Sequence, residues 1–227
     1  MCGRFAQCSD PDALARHFGL DTETGLAVQP RYNVAPTQPI LAMRLKADDQ
    51  RPEWVRLRWG LVPSWSKGPD NRYSMINARA ETVADKPAYR TAFARRRCLI
   101  PADAFYEWRS GEDGKVPHAI RRKDREPFAM AGLWEHWTGA DGSEIDSCTL
   151  IVTDANRLLA PIHDRMPVIL EPADYRVWLD NKPASQGLLQ ALLKPTDPIG
   201  WKVYPVSRSV NSPSNDSPEL LEPAAAQ

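Results

Sequence analysis

The sequence predicts an α+β fold: a single β-rich domain with an antiparallel, barrel-like sheet and a few short helices at its periphery. Six segments alternate or run apolar with β-branched and aromatic residues, which is typical of strands. Strands and helices do not alternate regularly along the chain, which argues against a parallel sheet built from βαβ units. The 21 prolines fall mostly between the segments, so we expect a loop-rich fold.

Three segments carry the signals of short helices. In the first, Asp10 is a candidate N-cap, Pro11 stands at the first helical position, and Gly19 follows the last apolar residue. The segment "EPADYRVWLDN" (171–181) begins with Glu-Pro and spaces its large apolar residues as a helix does. The segment "ASQGLLQALLK" (184–194) predicts the last helix.

The strand segments are separated by turn sequences. "SGEDGK" (110–115) and "GADGSE" (139–144) are Gly- and Asp-rich and predict tight turns. A short apolar strand inside "RRRCLIPADAFYEW" (95–108) is expected to end in a Pro turn. The other predicted strands are "QPILAMRL" (38–45), "WVRLRWGLV" (54–62), "PHAIRRKD" (117–124), "PFAMAGLWEHW" (127–137) and "SCTLIVTDA" (147–155).

Length and hydropathy predict one domain over residues 1–222, followed by a frayed tail at 223–227. No run of about 18 apolar residues is present, so we expect no membrane span. Charged residues interrupt the first twenty positions, so no signal peptide is expected. The predicted location is the cytoplasm, with association to the nucleoid when the protein is bound to DNA. Nothing indicates oligomers, so a monomer is expected.

The four cysteines are scattered at positions 2, 8, 98 and 148, without a CxxC pair. Zinc sites use paired ligand spacing, so we expect no metal. No cofactor motif is present, and we expect no cofactor.

Charge is unevenly distributed although the net charge is zero. Residues 51–125 carry 17 Lys and Arg against 9 Asp and Glu, whereas residues 126–227 carry 7 against 14. A basic middle third is typical of a nucleic-acid-binding surface. A solvated surface of mixed charge explains the same counts, so charge alone leaves the function open.

Several short stretches set polar residues in tight, Pro- or aromatic-rich surroundings. In chain order they are "MCGRF", "RYNVAPT", "WGLVPSW", "INARAET", "PADAFYEW", "IVTDAN", "IHDRMP" and "YPVSRSVNSPSNDSPEL". Their order and spacing resemble the SRAP family, named for the SOS response-associated peptidase domain, nearly from end to end. The resemblance implies a mature chain that begins at its cysteine and forms a covalent crosslink to abasic sites in single-stranded DNA.

Cys2 becomes the first residue if Met1 is removed, and its α-amine and thiol then lie on adjacent carbons. An α-amine has a pKa near 7.7–8.0 against about 10.4 for lysine, so far more of it is neutral and nucleophilic at pH 7. Attack on the aldehyde of a ring-opened abasic deoxyribose would give an imine, and the thiol could close a thiazolidine. Gly3 leaves room for a DNA backbone.

Glu107 and His163 are the candidate proton carriers. Packing by the neighbouring Tyr106 and Trp108 would raise the pKa of Glu107, and the resemblance makes it the acid/base glutamate. Strand alternation supports a different interpretation, in which Glu107 points outward. His163 could protonate the sugar ring oxygen or assist reversal of the crosslink, or it could be a structural loop histidine.

An arginine follows two residues after three of the candidate catalytic residues. The pairs are Cys2/Arg4, Asn77/Arg79 and His163/Arg165, with Asn77 placed to hold the amine or the sugar hydroxyl. In extended chain both members of a pair share a face, so each arginine is predicted to bind a phosphate beside the reacting group.

Four further residues are candidate DNA contacts. Trp65 follows a Pro turn and is expected at an exposed loop tip, where it could stack on a base. Asn33 and Pro36 are expected to line the groove beside the N-terminus, and Thr153 to touch the DNA backbone there.

Two other functions remain open. Cys2, His163 and Asn77 are also the residue types of a thiol peptidase, although a peptidase needs neither an α-amine nor flanking arginines. A non-catalytic reader of modified DNA bases would need the basic groove but no reactive terminus.

Overall fold

The computed structural model describes residues 2–19, 28–48, 50–69, 75–112, 114–181 and 186–224. Within these residues the chain forms thirteen strands, four α-helices and three short 3₁₀ turns. The strands are β1 (Phe5–Gln7), β2 (Arg31–Val34), β3 (Pro39–Leu45), β4 (Pro52–Trp59), β5 (Asn77–Arg79), β6 (Arg97–Ala102), β7 (Ala104–Gly111), β8 (Gly114–Arg122), β9 (Phe128–Thr138), β10 (Glu144–Asp154), β11 (Arg165–Pro167), β12 (Ile169–Leu170) and β13 (Trp201–Pro205). The helices are α1 (Pro11–Phe18), α2 (Arg90–Arg95), α3 (Tyr175–Leu179) and α4 (Gln186–Ala191), and the 3₁₀ turns are Pro172–Asp174, Arg208–Asn211 and Pro218–Leu221.

The strands form two sheets, and the larger one closes into a barrel. Its order is β11-β10-β4-β3-β6-β9-β12, and an additional pairing between β9 and β10 completes a ring of five strands. The predicted β-rich, barrel-like α+β fold is therefore confirmed. The sheet is not purely antiparallel, because β4 and β5 both run parallel to β10.

The smaller sheet has the order β13-β8-β7-β1-β2, and every pairing in it is antiparallel. It packs against the barrel through one continuous apolar core. In this core the rings of Phe5 from β1 and Trp59 from β4 meet edge to face, with centroids 4.9 Å apart. The N-terminal segment is thereby fixed between the two sheets.

Most of the predicted elements are present with adjusted ends. In α1 the Asp10 side chain accepts from the N–H of Ala13, and Gly19 closes the helix with φ of +67°. The predicted Pro turn at Pro101 is wrong, because β6 continues through Pro101 to Ala102 and pairs there with β9. Helix α2 was not predicted.

The chain keeps its fold beyond the predicted boundary at residue 222. Pro223 bridges to Val206, and the N–H of Ala224 donates to Pro205 at 2.8 Å. Residues 225–227 lie outside the described part of the chain. None of the helices in the described ranges has the length and apolar character that a membrane span requires.

Candidate active site

The N-terminal segment places Cys2 beside the middle of β7. Phe5 pairs with Phe105, and the N–H of Tyr106 donates to the carbonyl of Arg4 at 3.0 Å. This antiparallel register brings the residues before Phe5 next to Glu107. Cys2 itself is fully buried.

Asn77 reaches Cys2 from the other sheet. Strand β4 ends at Trp59, and β5 takes its place along the parallel edge of β10, with Asn77 opposite Leu150. From there the Asn77 side-chain amide donates to the carbonyl of Cys2 at 2.9 Å. Its Oδ1 atom is buried and accepts no hydrogen bond from the described residues. Asn77 therefore holds Cys2 in place through its amide group. Its Oδ1 atom remains an acceptor for an amine or a hydroxyl group.

Glu107 is a buried carboxyl group, with 2% of its surface exposed. Burial raises its pKa to about 7. The interpretation that Glu107 points outward is wrong. The proposed cause of burial was also wrong: Tyr106 and Trp108 belong to a separate cluster on the opposite face, as strand alternation requires.

His163 lies directly against Glu107. Its Nε2 atom is 4.0 Å from Oε2 of Glu107, and its Nδ1 accepts from the backbone N–H of Arg165 at 3.0 Å. Oδ1 of the exposed Asp164 lies 2.9 Å from the same Nδ1. Burial lowers the pKa of His163, and the negative charge of Asp164 opposes this shift.

The thiol of Cys2 is held in its neutral form. Burial raises its pKa well above the usual value, and the negative charge of Glu107 adds to the shift. In this environment the sulfur is a poor thiolate nucleophile.

The three predicted arginines differ in their surroundings. Arg79, at the end of β5, is exposed and forms no ion pair with the described residues. Arg165 is engaged: its guanidinium contacts Glu81 and lies 3.2 Å from Asp154. Arg4 points to the face opposite Phe5 and donates to Asn33 at 2.8 Å and to the carbonyl of Val210 at 2.7 Å. The expectation that Arg4 shares a face with the reacting residue is therefore wrong.

Two of the predicted DNA contacts lie inside the protein. Asn33 is fully buried, and its amide donates to the carbonyls of Val210, Ser212 and Asn215. Thr153 is 5% exposed and its hydroxyl donates to Leu193 at 3.3 Å. Neither side chain faces solvent, so the expected positions at the groove surface are not found.

Pro36 and Trp65 lie at the surface of a groove. It has a volume of about 700 Å³ and runs along residues 58–63, next to Ile76 and thus to Asn77. Trp65 is 70% exposed, whereas Trp59 is fully buried.

Two residues near the site were not predicted. Asp164 raises the pKa of Glu107 and Lys115 lowers it, so both charges act on the carboxyl group. The sequence could have indicated Asp164, because it directly follows the candidate residue His163. Nothing in the sequence indicates Lys115, which reaches the site from the β7–β8 hairpin. The described residues contain no group of three or more His, Cys, Asp or Glu side chains that could hold a metal ion.

Comparison with known proteins identifies the family. The family model for SOS response associated peptidase (SRAP) matches residues 1–213. The chain belongs to the SRAP family. Among SRAP relatives, the abasic site processing protein YoqW of Bacillus subtilis (strain 168) is 44% identical over 224 residues, which cover 98% of this chain and 99% of YoqW. The abasic site processing protein HMCES of Xenopus tropicalis is 33% identical and aligns with 97% of this chain and 78% of its own length.

Solved structures share the fold of this SRAP domain. A crystal structure of a protein from Bacteroides thetaiotaomicron matches with a TM-score of 0.84 and 27% identity, over 99% of this chain and 100% of that chain. One from Bordetella bronchiseptica matches with a TM-score of 0.78 and 27% identity, over 91% and 100%.

Proposed function

We propose that this SRAP protein processes abasic sites in single-stranded DNA by attaching itself covalently through Cys2 once Met1 has been removed. The observation that carries the proposal is the cluster formed around Cys2 by three separate parts of the chain: Asn77 donates to the Cys2 carbonyl, the charge of Glu107 acts on the Cys2 thiol, and His163 lies 4.0 Å from Glu107. The names of the relatives YoqW and HMCES, abasic site processing proteins, support the same substrate.

The chemistry needs a neutral α-amine and an aldehyde. The amine nitrogen of Cys2 attacks C1′ of the ring-opened deoxyribose and gives a carbinolamine. Loss of water yields an imine, and the Cys2 sulfur then adds to the imine carbon while its proton passes to nitrogen. The product is a thiazolidine, and one water is released overall. While a residue precedes Cys2, its nitrogen is an amide and cannot perform the first step.

The neighbouring side chains fit the proton transfers of this sequence. Glu107, with a pKa of about 7, can take the proton that leaves the amine and return it to the departing hydroxyl. Nε2 of His163 lies close enough to exchange a proton with Glu107 through a small movement or one water. Oδ1 of Asn77 can accept from the amine and hold its lone pair toward C1′.

The surface around the site suits a DNA strand. Arg79 is exposed for a phosphate, and Arg165 can exchange its carboxylate partners for one. Pro36 and Trp65 line a groove in which an unpaired base can stack.

A thiol peptidase fits the site less well. Cysteine peptidases need a thiolate, whose formation a neighbouring positive charge favours. Here burial and the carboxylate of Glu107 raise the thiol pKa of Cys2. A sulfur that adds last, to an activated imine, has no need of a low pKa.

The proposal is tested with mature protein and a single-stranded oligonucleotide that carries one abasic site. We expect a slower-migrating adduct on a denaturing gel. Cys2→Ala should give an adduct only after borohydride reduction, because it keeps the amine but cannot close the ring. A variant that retains one residue before Cys2 should give none, and Cys8→Ala is the matched control for loss of a thiol.

Three results would contradict the proposal. Wild-type protein that forms no adduct would exclude covalent processing. A durable adduct with Cys2→Ala, without reduction, would exclude the thiazolidine. Peptide cleavage without any DNA adduct would favour the peptidase.

A further inference from the structure

Arg109 follows Glu107 by two residues, the same spacing that separates Arg79 and Arg165 from their candidate catalytic residues. It lies two residues after Glu107 on β7 and is therefore on the same face of the sheet, about 7 Å further along the strand. Its position opposite Val116 on β8 makes it a diagonal neighbour of His118, which is opposite Glu107. The charge of Arg109 lowers the pKa of His118, which agrees with this placement.

The arginine is exposed and available. Burial along β7 ends at Glu107: Trp108 is half-buried and Arg109 is exposed. Arg109 forms no ion pair with the residues that the structure describes. Lys115, from the same hairpin, adds a positive charge that reaches both Glu107 and His163.

The opposite side of the site is acidic. Glu81 and Asp154 neutralise Arg165, and the exposed Asp164 lies against His163. A phosphate on that side must displace a carboxylate or approach one. On the β7–β8 side, by contrast, Arg109 is exposed and forms no ion pair with a described carboxylate.

We propose that Arg109 binds a phosphate of the DNA backbone next to the abasic nucleotide, so that the strand passes between Arg79 and Arg109 with Cys2 below it. Arg79 belongs to the barrel and Arg109 to the smaller sheet, while the carbonyl of Cys2 is held from the barrel side by Asn77. The two sheets thus provide one phosphate contact each. This inference rests on the proposed function and adds a specific residue to its DNA-binding surface.

The test separates DNA binding from chemistry. Binding is measured on a single-stranded oligonucleotide with a tetrahydrofuran residue, which has no aldehyde, over a range of salt concentrations. Arg109→Gln should weaken binding about 5- to 20-fold at low salt and lower the slope of log K against log salt by about 0.7, the value for one phosphate of a single strand. Arg109→Lys should retain most of the affinity. Arg176→Gln, an exposed arginine on α3, is the matched control and should change neither.

Crosslinking to abasic DNA at saturating concentration shows which proposal fails. If wild-type protein forms the adduct and Arg109→Gln binds with unchanged affinity and salt slope, the role of Arg109 is refuted and the proposed function stands. A lower maximal crosslinking rate with unchanged binding would likewise refute phosphate binding by Arg109. If wild-type protein forms no adduct, the proposed function itself is refuted.

Discussion

Nε2 of His163 lies 4.0 Å from Oε2 of Glu107, and burial shifts the pKa values of the two groups in opposite directions. Burial raises the pKa of Glu107 to about 7 and lowers that of His163 below 6.5. A carboxyl group with a pKa of about 7 can both take up and release a proton near neutral pH. The pair is therefore suited to a reaction that removes a proton at one step and delivers it at another.

The raised pKa of Glu107 predicts how stability depends on pH. The folded state retains the proton up to about pH 7, whereas the unfolded chain loses it near pH 4.5. The stability from this group is thus complete below about pH 4.5 and is lost as pH rises through 7. Glu107→Gln should therefore raise the free energy of unfolding by about 1–3 kcal/mol at pH 8 and have little effect at pH 4.5. Urea titrations at the two pH values measure this difference.

Glu135 provides the control for the stability prediction. It is also a buried glutamate, but its carboxylate lies 2.7 Å from the guanidinium of Arg96. Glu135→Gln should destabilise the protein at pH 8 because it removes this partner. Equal effects of the two substitutions at pH 8 would show that Glu107 is not held in a raised-pKa environment.

Substitutions of Trp65 and Trp59 should affect different properties: the first DNA binding and the second stability. Trp65→Ala should weaken binding of single-stranded DNA by about 1–3 kcal/mol, the value of one stacked base, and leave stability unchanged, because the side chain is 70% exposed. Trp59→Ala should cost about 3–5 kcal/mol of stability, because the buried ring packs on Phe5. Fluorescence anisotropy and urea unfolding measure the two quantities. Unchanged DNA affinity in Trp65→Ala would exclude stacking at this position.

The sequence predicts most of the strands, but it does not predict how the sheet closes or what surrounds Glu107. Strand periodicity and turn signals are local features of the sequence, so they locate most strands. Closure of the barrel depends instead on contacts between distant strands: β9 pairs with β10, and β4 runs parallel to β10. The pKa of Glu107 is raised, as the sequence predicts, but the residues that bury the carboxyl group are not the predicted ones. The residues beside it in sequence lie on the other face, and its burial comes from parts of the chain that are far away in sequence.

The arginines show the same limit. A spacing of two residues places two side chains on the same face only within a continuous strand. Cys2 and Arg4 both precede β1, which begins at Phe5, so the rule does not apply to this pair. Arg4 consequently faces the C-terminal segment, where Val210 accepts its hydrogen bond. Arg79 and Arg109 lie within strands and follow the rule.

Glu81 contacts Arg165, so a DNA phosphate that binds Arg165 as proposed has to compete with this carboxylate. Glu81→Gln should strengthen binding of single-stranded DNA, because it releases the guanidinium and removes a negative charge from the surface, whereas Arg165→Gln should weaken binding. Both should change stability by less than about 1 kcal/mol, since the ion pair is partly exposed. Salt-dependent affinities of the two variants and of the double variant test this. Weaker binding by Glu81→Gln would mean that Glu81 positions Arg165 for the phosphate.

Substitutions of Asn77 and Asn33 should affect different properties: the first the rate of crosslinking and the second the stability of the fold. Asn77→Ala removes the hydrogen bond to the Cys2 carbonyl and the acceptor at Oδ1, so crosslinking should slow about 10- to 100-fold, with a stability loss of about 1 kcal/mol. Single-turnover adduct formation at saturating abasic DNA measures the rate. Normal rates in Asn77→Ala would remove its positioning role.

Asn33 is the matched control because it is also an asparagine bonded to backbone carbonyls, but away from Cys2. Asn33→Ala leaves the carbonyls of Val210, Ser212 and Asn215 without their buried donor and should cost about 2–4 kcal/mol of stability. The crosslinking rate of the molecules that remain folded should stay within about twofold of wild type, since Asn33 contacts none of the reacting groups. A larger drop would place the Arg4 side chain, which donates to Asn33, within the DNA-binding surface.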